Sequence, residues 1–183
     1  MGNELKLPTQ EMERLVTETK FSQDEIKRMY KRFRRLDQDR NGVLSMDEFK
    51  QIPELANNPL LERLISIFDT NHDDCVDFDE FISGLSIFGS DASIERKLKF
   101  LFDVYDVDGD GFISNGELFY VLKKMTGTNI TDEAIQQLVD RTILDTDTSG
   151  TGKISLADFC LCLTSRSALF DNLIQQLNFH DQF

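Results

Sequence analysis

The sequence predicts an all-α fold: four helix–loop–helix units paired into two lobes, with a short two-stranded β pairing between the loops of each pair. Three observations carry this prediction. Acidic residues concentrate in four twelve-residue windows, 37–48, 69–80, 106–117 and 147–158. The windows start 32, 37 and 41 residues apart, which leaves room for a helix on either side of each. Each window also carries an apolar residue at its eighth position, namely Leu44, Val76, Ile113 and Ile154, where a short strand can pair with its neighbour.

The chain of 183 residues, 40% of them hydrophobic, is long enough for one or two small domains with real cores. Its longest apolar runs, Leu64–Phe68 and Phe159–Leu163, fall far short of the roughly 20 residues a membrane span needs. No tripartite leader is recognised at the start, so no secretory signal is expected. The net charge of -13 argues against nucleic acid as a ligand, because phosphates call for a basic surface. That charge is local. The four windows hold 4, 6, 4 and 2 acidic residues against only Arg40 and Lys153, a balance of -14. The other 135 residues carry 17 acidic and 18 basic groups and are nearly neutral.

Along the chain, residues 1–20 read as an N-terminal arm, 21–87 as the first lobe, 88–166 as the second, and 167–183 as a tail. Ser22 and Glu25 form a capping box, with Phe21 and Ile26 placed as a hydrophobic staple. Asn58 before Pro59 predicts an N-cap with Pro at the first helical position. The stretch Ser86–Ala92, with Gly89, Ser90 and Asp91, is the expected junction between lobes. Thr131 opens a further helix, with Ile130 and Ile135 as its staple. In the tail, Leu169, Phe170, Leu173, Ile174 and Leu177 share one helical stripe, read as a last helix or lid. The basic run Lys27, Arg28, Lys31, Arg32, Arg34 and Arg35 reads as a solvated face, with a membrane or an acidic partner patch as the alternative.

The three cysteines, Cys75, Cys160 and Cys162, make neither a zinc set nor a disulfide framework and read as free thiols in a reducing compartment. Gly2 after Met1 offers an N-myristoylation site, although Lys6 stands where Ser or Thr is usual. A single acyl chain anchors only marginally, so membrane contact through it would be weak.

The windows have the chemistry of calcium cages. A large hard cation takes about six to eight oxygens, which a twelve-residue loop supplies from positions 1, 3, 5, 7, 9 and 12, with a sharp turn at position 6. Loop 1 offers Asp37, Asp39, Asn41, the Val43 carbonyl, Ser45 and Glu48, with Gly42 at the turn. Loop 3 offers Asp106, Asp108, Asp110, the Phe112 carbonyl, Ser114 and Glu117, with Gly111 at the turn. Loop 2 offers Asp69, Asn71, Asp73, the Cys75 carbonyl, Asp77 and Glu80, but places Asp74 at the turn, at a backbone cost of about 1 kcal/mol. Loop 4 keeps the frame with Asp147, Ser149, Thr151, the Lys153 carbonyl, Ser155 and Asp158, yet supplies only two carboxylates. Three strong Ca2+ sites are therefore expected, and a fourth that is weak, empty or better suited to Mg2+.

With these residues in place, the chain resembles the EF-hand superfamily and, within it, the calcineurin regulatory B subunits. The resemblance rests on Met1–Glu4, Asp24–Arg28, Pro53–Leu55 with Asn58–Leu60, Ile67–Thr70, Ile113–Phe119 and the loop spacing. It implies a non-catalytic, cytoplasmic regulatory protein that forms a heterodimer with a Ser/Thr phosphatase catalytic A subunit, binding its amphipathic helix and making the enzyme calcium-responsive. Calmodulin would act separately on the same catalytic chain. Members of that family normally fill four sites, so loop 4, Asp74 and the extra length at both ends are departures.

Helix-in-groove recognition needs an apolar trough, for which Leu118, Phe119, Val121, Leu122, Met125, Leu161 and Leu163 are the candidates. The alternative function is a myristoylated, membrane-switching calcium sensor of the neuronal type; a calcium buffer is a third reading. An enzyme is not expected. The only histidines are His72 and His180, no nucleophile–base pair is evident, and Gly150-Thr151-Gly152-Lys153 lacks both the first Gly and the Ser/Thr of a phosphate loop.

Overall fold

The computed structural model describes residues 7–53, 55–89 and 92–165. Gly2 and the apolar stripe from Leu169 to Leu177 lie outside the described residues.

The first helix, α1 (Thr9–Thr19), falls within the stretch read from sequence as an arm. It is helical because Met12, Leu15 and Thr19 recur on one side and are buried there. It ends on Lys20 in the left-handed region, with φ +62°. The helix α2 (Gln23–Leu36) starts from the expected capping box: Glu25 N–H donates to Ser22 Oγ at 3.3 Å, and Ser22 N–H donates to Glu25 Oε2 at 2.8 Å. Phe21 and Ile26 are both buried beside it.

Loop 1 then leads through strand β1 (Val43–Leu44) into the short helix α3 (Met46–Phe49). The next helix, α4 (Leu61–Phe68), begins later than Asn58–Pro59 suggests, because Asn58 Oδ1 accepts from Leu60 N–H at 2.9 Å and caps a turn ahead of the helix. Loop 2 passes through β2 (Val76–Asp77) into α5 (Phe78–Ser86). In the second lobe α6 (Ile94–Tyr105), loop 3, β3 (Phe112–Ile113) and α7 (Asn115–Thr126) form one unit. The last unit consists of α8 (Asp132–Thr146), loop 4, β4 (Ile154–Ser155) and α9 (Leu156–Thr164). Thr131 Oγ1 caps α8 by accepting from Ala134 N–H at 3.3 Å, while Ile130 remains exposed and Ile135 is buried.

The loops pair as antiparallel two-residue strands. Leu44 stands opposite Val76, and Ile113 opposite Ile154, so the eighth positions meet inside each lobe. All four of these side chains are buried.

Each lobe has its own core. In the first, the Phe33 ring meets Phe78 and Phe81 edge-on at centroid distances of 5.4 and 5.5 Å. In the second, Phe102 meets Phe159 at 5.6 Å. A third cluster joins the lobes: buried Phe100, Val104 and Val121 pack against Leu64, Phe68 and Phe88. Phe88, from the stretch read as a junction, meets Phe100 edge-on at 5.1 Å. The junction is thus part of a core, which sets the two lobes against each other. Among the described residues, no helix is long and apolar enough to cross a membrane.

Candidate metal centres

Each loop begins where a helix runs out. Asp37, Asp69, Asp106 and Asp147 are the C-cap residues of α2, α4, α6 and α8, and the first three are buried. The twelfth residue of each loop lies in the first turn of the following helix. There it accepts from the cap residue's N–H and thereby ties the loop shut. Two helix ends therefore hold the residues at positions 1 and 12 of each loop.

The four loops share one internal bond. The position-6 N–H donates to Oδ2 of the first Asp: Gly42 to Asp37 at 3.3 Å, Asp74 to Asp69 at 2.9 Å, Gly111 to Asp106 at 3.1 Å and Gly152 to Asp147 at 2.6 Å. The turn requires positive φ, which is +92° at Gly42, +85° at Gly111 and +64° at Asp74. Asp74 adopts the same turn as the glycines.

In loops 1 and 3 the carboxylates converge. Oxygens of Asp37, Asp39 and Glu48 lie within 4.8 Å of one another, as do those of Asp106, Asp108 and Glu117. Oxygens on opposite sides of a calcium ion bound at about 2.4 Å are about 4.8 Å apart, so both groups have the right span. Among the described residues, loops 2 and 4 contain no such trio. Asp37 adds a sharper sign. Its Oδ2 accepts from Arg34 Nη1 at 2.5 Å, while its Oδ1 is buried with no hydrogen-bond partner. A buried carboxylate oxygen without a donor is costly unless a cation completes it. The all-oxygen donor set and this orphaned atom both fit a hard divalent cation.

Charge is held in readiness by the loop backbone. Burial pushes the Glu48 carboxyl up, but donors from Ser45, Gln38 and Asp39 outweigh it and keep Glu48 below the ordinary carboxylate range. Glu117 is lowered in the same way, burial again being overcome by the hydroxyl and N–H of Ser114 and by the N–H groups of Asp108 and Val107. Asp106 goes the other way: burial, helped by Glu117 and Asp110, raises it despite the N–H groups of Gly111 and Gly109. A cation at loop 3 would relieve that repulsion.

Loop 2 holds Asp69, Asn71 and Asp73 in the same chain of N–H contacts, with Glu80 Oε1 accepting from the N–H groups of Thr70 and Asn71 at 2.9 and 3.2 Å. Asp77 accepts from Glu80 N–H at 2.8 Å and caps α5. The Cys75 thiol is pushed up by burial and by Asp73 and Asp69.

Loop 4 satisfies itself. Asp147 Oδ1 accepts from the Ser149 hydroxyl at 2.9 Å, and Asp158 accepts from the hydroxyls of Thr148 and Ser155 at 2.5 and 2.6 Å. These last two donors hold Asp158 down to about 2. The Lys153 carbonyl, at the seventh position, accepts from Thr151 Oγ1 at 3.2 Å. The position-12 carboxylate meets loop hydroxyls in the other loops too, Ser45 with Glu48 at 2.9 Å, Thr70 with Glu80 at 2.9 Å and Ser114 with Glu117 at 2.6 Å. What sets loop 4 apart is the hydroxyls of Ser149 and Thr151 at its third and fifth positions.

The trough candidates divide. Leu118 lies in the second-lobe core and Val121 in the inter-lobe cluster, both buried, so neither lines an open trough in this structure. Phe119 and Leu122 pack on the core with partial exposure, and Leu163 is half-buried. Met125 and Leu161 are exposed, 49% and 58%. Leu138 and Leu144 on α8, which the helical patterning did not single out, are also exposed.

Comparison with known proteins agrees with this geometry. The family model for an EF-hand domain pair matches residues 26–86 and again 95–162. The calcineurin B protein of Naegleria gruberi is 54% identical over 162 residues, covering 88% of this chain and 92% of the relative. The type 1 calcineurin B protein of Dictyostelium discoideum is 47% identical over 94% of this chain and 97% of its own length. The type 2 calcineurin B protein of Homo sapiens is 51% identical over 87% of this chain and 90% of its own. The helix–loop–helix pairs, the oxygen-lined loops and this similarity over nearly the whole chain show that it belongs to the calcineurin B subunits, the non-catalytic calcium-binding EF-hand family.

Proposed function

We propose that the chain regulates a calcineurin-type Ser/Thr phosphatase, that it clasps an amphipathic helix of the catalytic A subunit, and that loops 1, 2 and 3 are its calcium sites. The orphaned, buried Oδ1 of Asp37 within the Asp37–Asp39–Glu48 trio is the observation that supports calcium most directly. Loop 4, with only the two carboxylates of Asp147 and Asp158, is read as weak or empty, with Mg2+ as its better-suited ion.

The position-1 and position-12 carboxylates would hold the calcium ion, whose positive charge would offset their repulsion and permit their closer approach. The protein's part is to turn that approach into helix movement. Asp106 ends α6 and Glu117 sits in the first turn of α7, so a change in their separation turns α7 against α6. The α7 helix carries Phe119, Leu122 and Met125, which places apolar surface under the control of the loop. The second-lobe face of Met125 and Leu161 is the proposed seat of the partner helix. Any membrane contact through a myristoylated Gly2 would be weak and secondary.

Recovery from native extract in the presence of a calcium chelator tests this reading. A Ser/Thr phosphatase catalytic chain held at one-to-one stoichiometry without calcium supports it. Recovery as a free chain that moves to membranes when calcium is added would overturn it in favour of a membrane-switching sensor.

A further inference from the structure

Arg63 belongs to the first lobe yet makes most of its bonds in the second. It lies on α4, the helix that enters loop 2, and its guanidinium reaches the C-terminal end of α6, the helix that enters loop 3. Its Nε donates to the Val104 carbonyl at 3.3 Å, and its Nη2 donates to the Asp103 carbonyl at 2.5 Å and also to the Asp106 carbonyl. Its Nη1 donates to Ser66 Oγ at 2.9 Å, a contact within α4 that orients the fork. The last carbonyls of a helix lack intrahelical partners and carry the negative end of its dipole, so a planar cation with several donors suits them.

One of these carbonyls belongs to Asp106, whose side chain is the first ligand of loop 3. The neighbour of Arg63 on α4, Glu62, pairs with Lys124 on α7 at 2.5 Å. The helix that leads into loop 2 therefore holds both the entering and the leaving helix of the third hand. The buried contacts of Phe100 and Val104 with Leu64 and Phe68 back this grip with apolar packing.

We propose that Arg63 is a positioning residue for the loop 3 calcium site, fixing the Asp106 end of α6 from the opposite lobe and so coupling calcium binding in loop 2 to calcium binding in loop 3. The inference rests on the reading of loops 2 and 3 as calcium sites. Coupling of this kind is reciprocal: if occupancy of loop 2 steadies α4, it favours loop 3, and the converse holds equally. The route is short, running from Asp69 at the end of α4 through Arg63 to Asp106 at the end of α6.

The shared position-6 bond supplies a separate reporter for each loop. Amide NMR shifts of Gly42, Asp74 and Gly111 in the full chain, followed through a calcium titration, read loops 1, 2 and 3 individually. For Arg63→Gln, the Gly111 midpoint should move to about fivefold higher calcium, within the span of typical site couplings, while the Gly42 midpoint stays within about twofold. Arg63→Lys keeps the charge but not the fork, and should fall between. In the otherwise native chain Glu80→Gln, which weakens loop 2, should also raise the Gly111 midpoint, and combining it with Arg63→Gln should add no further shift.

An unchanged Gly111 midpoint in both Arg63 variants overturns the proposal, as does an equal shift at Gly42, which would indicate general loosening. Should Arg63→Gln not fold, Arg63→Lys decides by the same comparison. Failure of the native chain to show any calcium response at Gly111 would instead remove the calcium reading of loop 3 itself.

Discussion

Lys153 of loop 4 sits on Asp110 of loop 3, with Nζ 2.6 Å from Oδ2. The seventh residue of one loop has its side chain on the fifth residue of its paired loop, and its ammonium also lies 5.8 Å from the centre of the Phe112 ring. Their hydrogen bond and mutual charge hold Asp110 below the ordinary carboxylate range and Lys153 above its ordinary value. The loop that is poorest in carboxylates thus lends a cation to its partner.

In the proposed loop 3 site, that cation would compete with calcium for Asp110. Lys153→Gln is expected to raise calcium affinity at loop 3 by about two- to threefold, the size an exposed ion pair allows. The gain should shrink as salt is raised, because the pair is open to solvent. Calorimetric titration of the full chain at low and high ionic strength checks it, and a loss of affinity would show that the lysine supports the site.

Stoichiometry separates loop 4 from the others. Calorimetry should count three calcium ions per chain. Glu48→Gln, Glu80→Gln and Glu117→Gln should each weaken its own loop's site by about tenfold or more, since affinity follows ligand charge. Asp158→Asn should leave the count at three. A count of four that falls on changing Asp158 would place calcium in loop 4 despite its having only two carboxylates.

Close packing within the first lobe gives a prediction independent of metal. A Cβ added at Gly84 on α5 would stand 2.8 Å from the Phe68 ring on α4. Helix propensity alone favours Ala over Gly by about 1 kcal/mol. Overpacking costs about 1–3 kcal/mol, so Gly84→Ala should lower the thermal midpoint on balance. A raised midpoint would mean that Phe68 moves aside freely.

Local chemistry made much of the fold legible. Ligand spacing within twelve residues marks each loop because the loop's own N–H groups and carboxylates close it, as Gly111 does with Asp106. The capping box at Ser22 and Glu25 and the pairing of Leu44 with Val76 follow from neighbours in sequence or from the repeat. Residues 1–20 did not announce a helix, because α1 is held by burying Met12 and Leu15 against distant elements. The burial of Leu118 and Val121 was also hidden, since a helical stripe cannot tell a face that meets solvent from one that meets another helix.

The four loops, their candidate ligand positions, the strand pairings and the family were all legible along the chain, because each depends on residues a few positions apart or on a visible repeat. How the lobes meet and how the paired loops touch emerged from folding alone: Phe88 on Phe100, Arg63 on the carbonyls of Asp103, Val104 and Asp106, and Lys153 on Asp110. Those contacts join residues up to 43 positions apart. An arginine donates to whichever carbonyls are brought within reach, and neither its own side chain nor its near neighbours specify which helix end that will be.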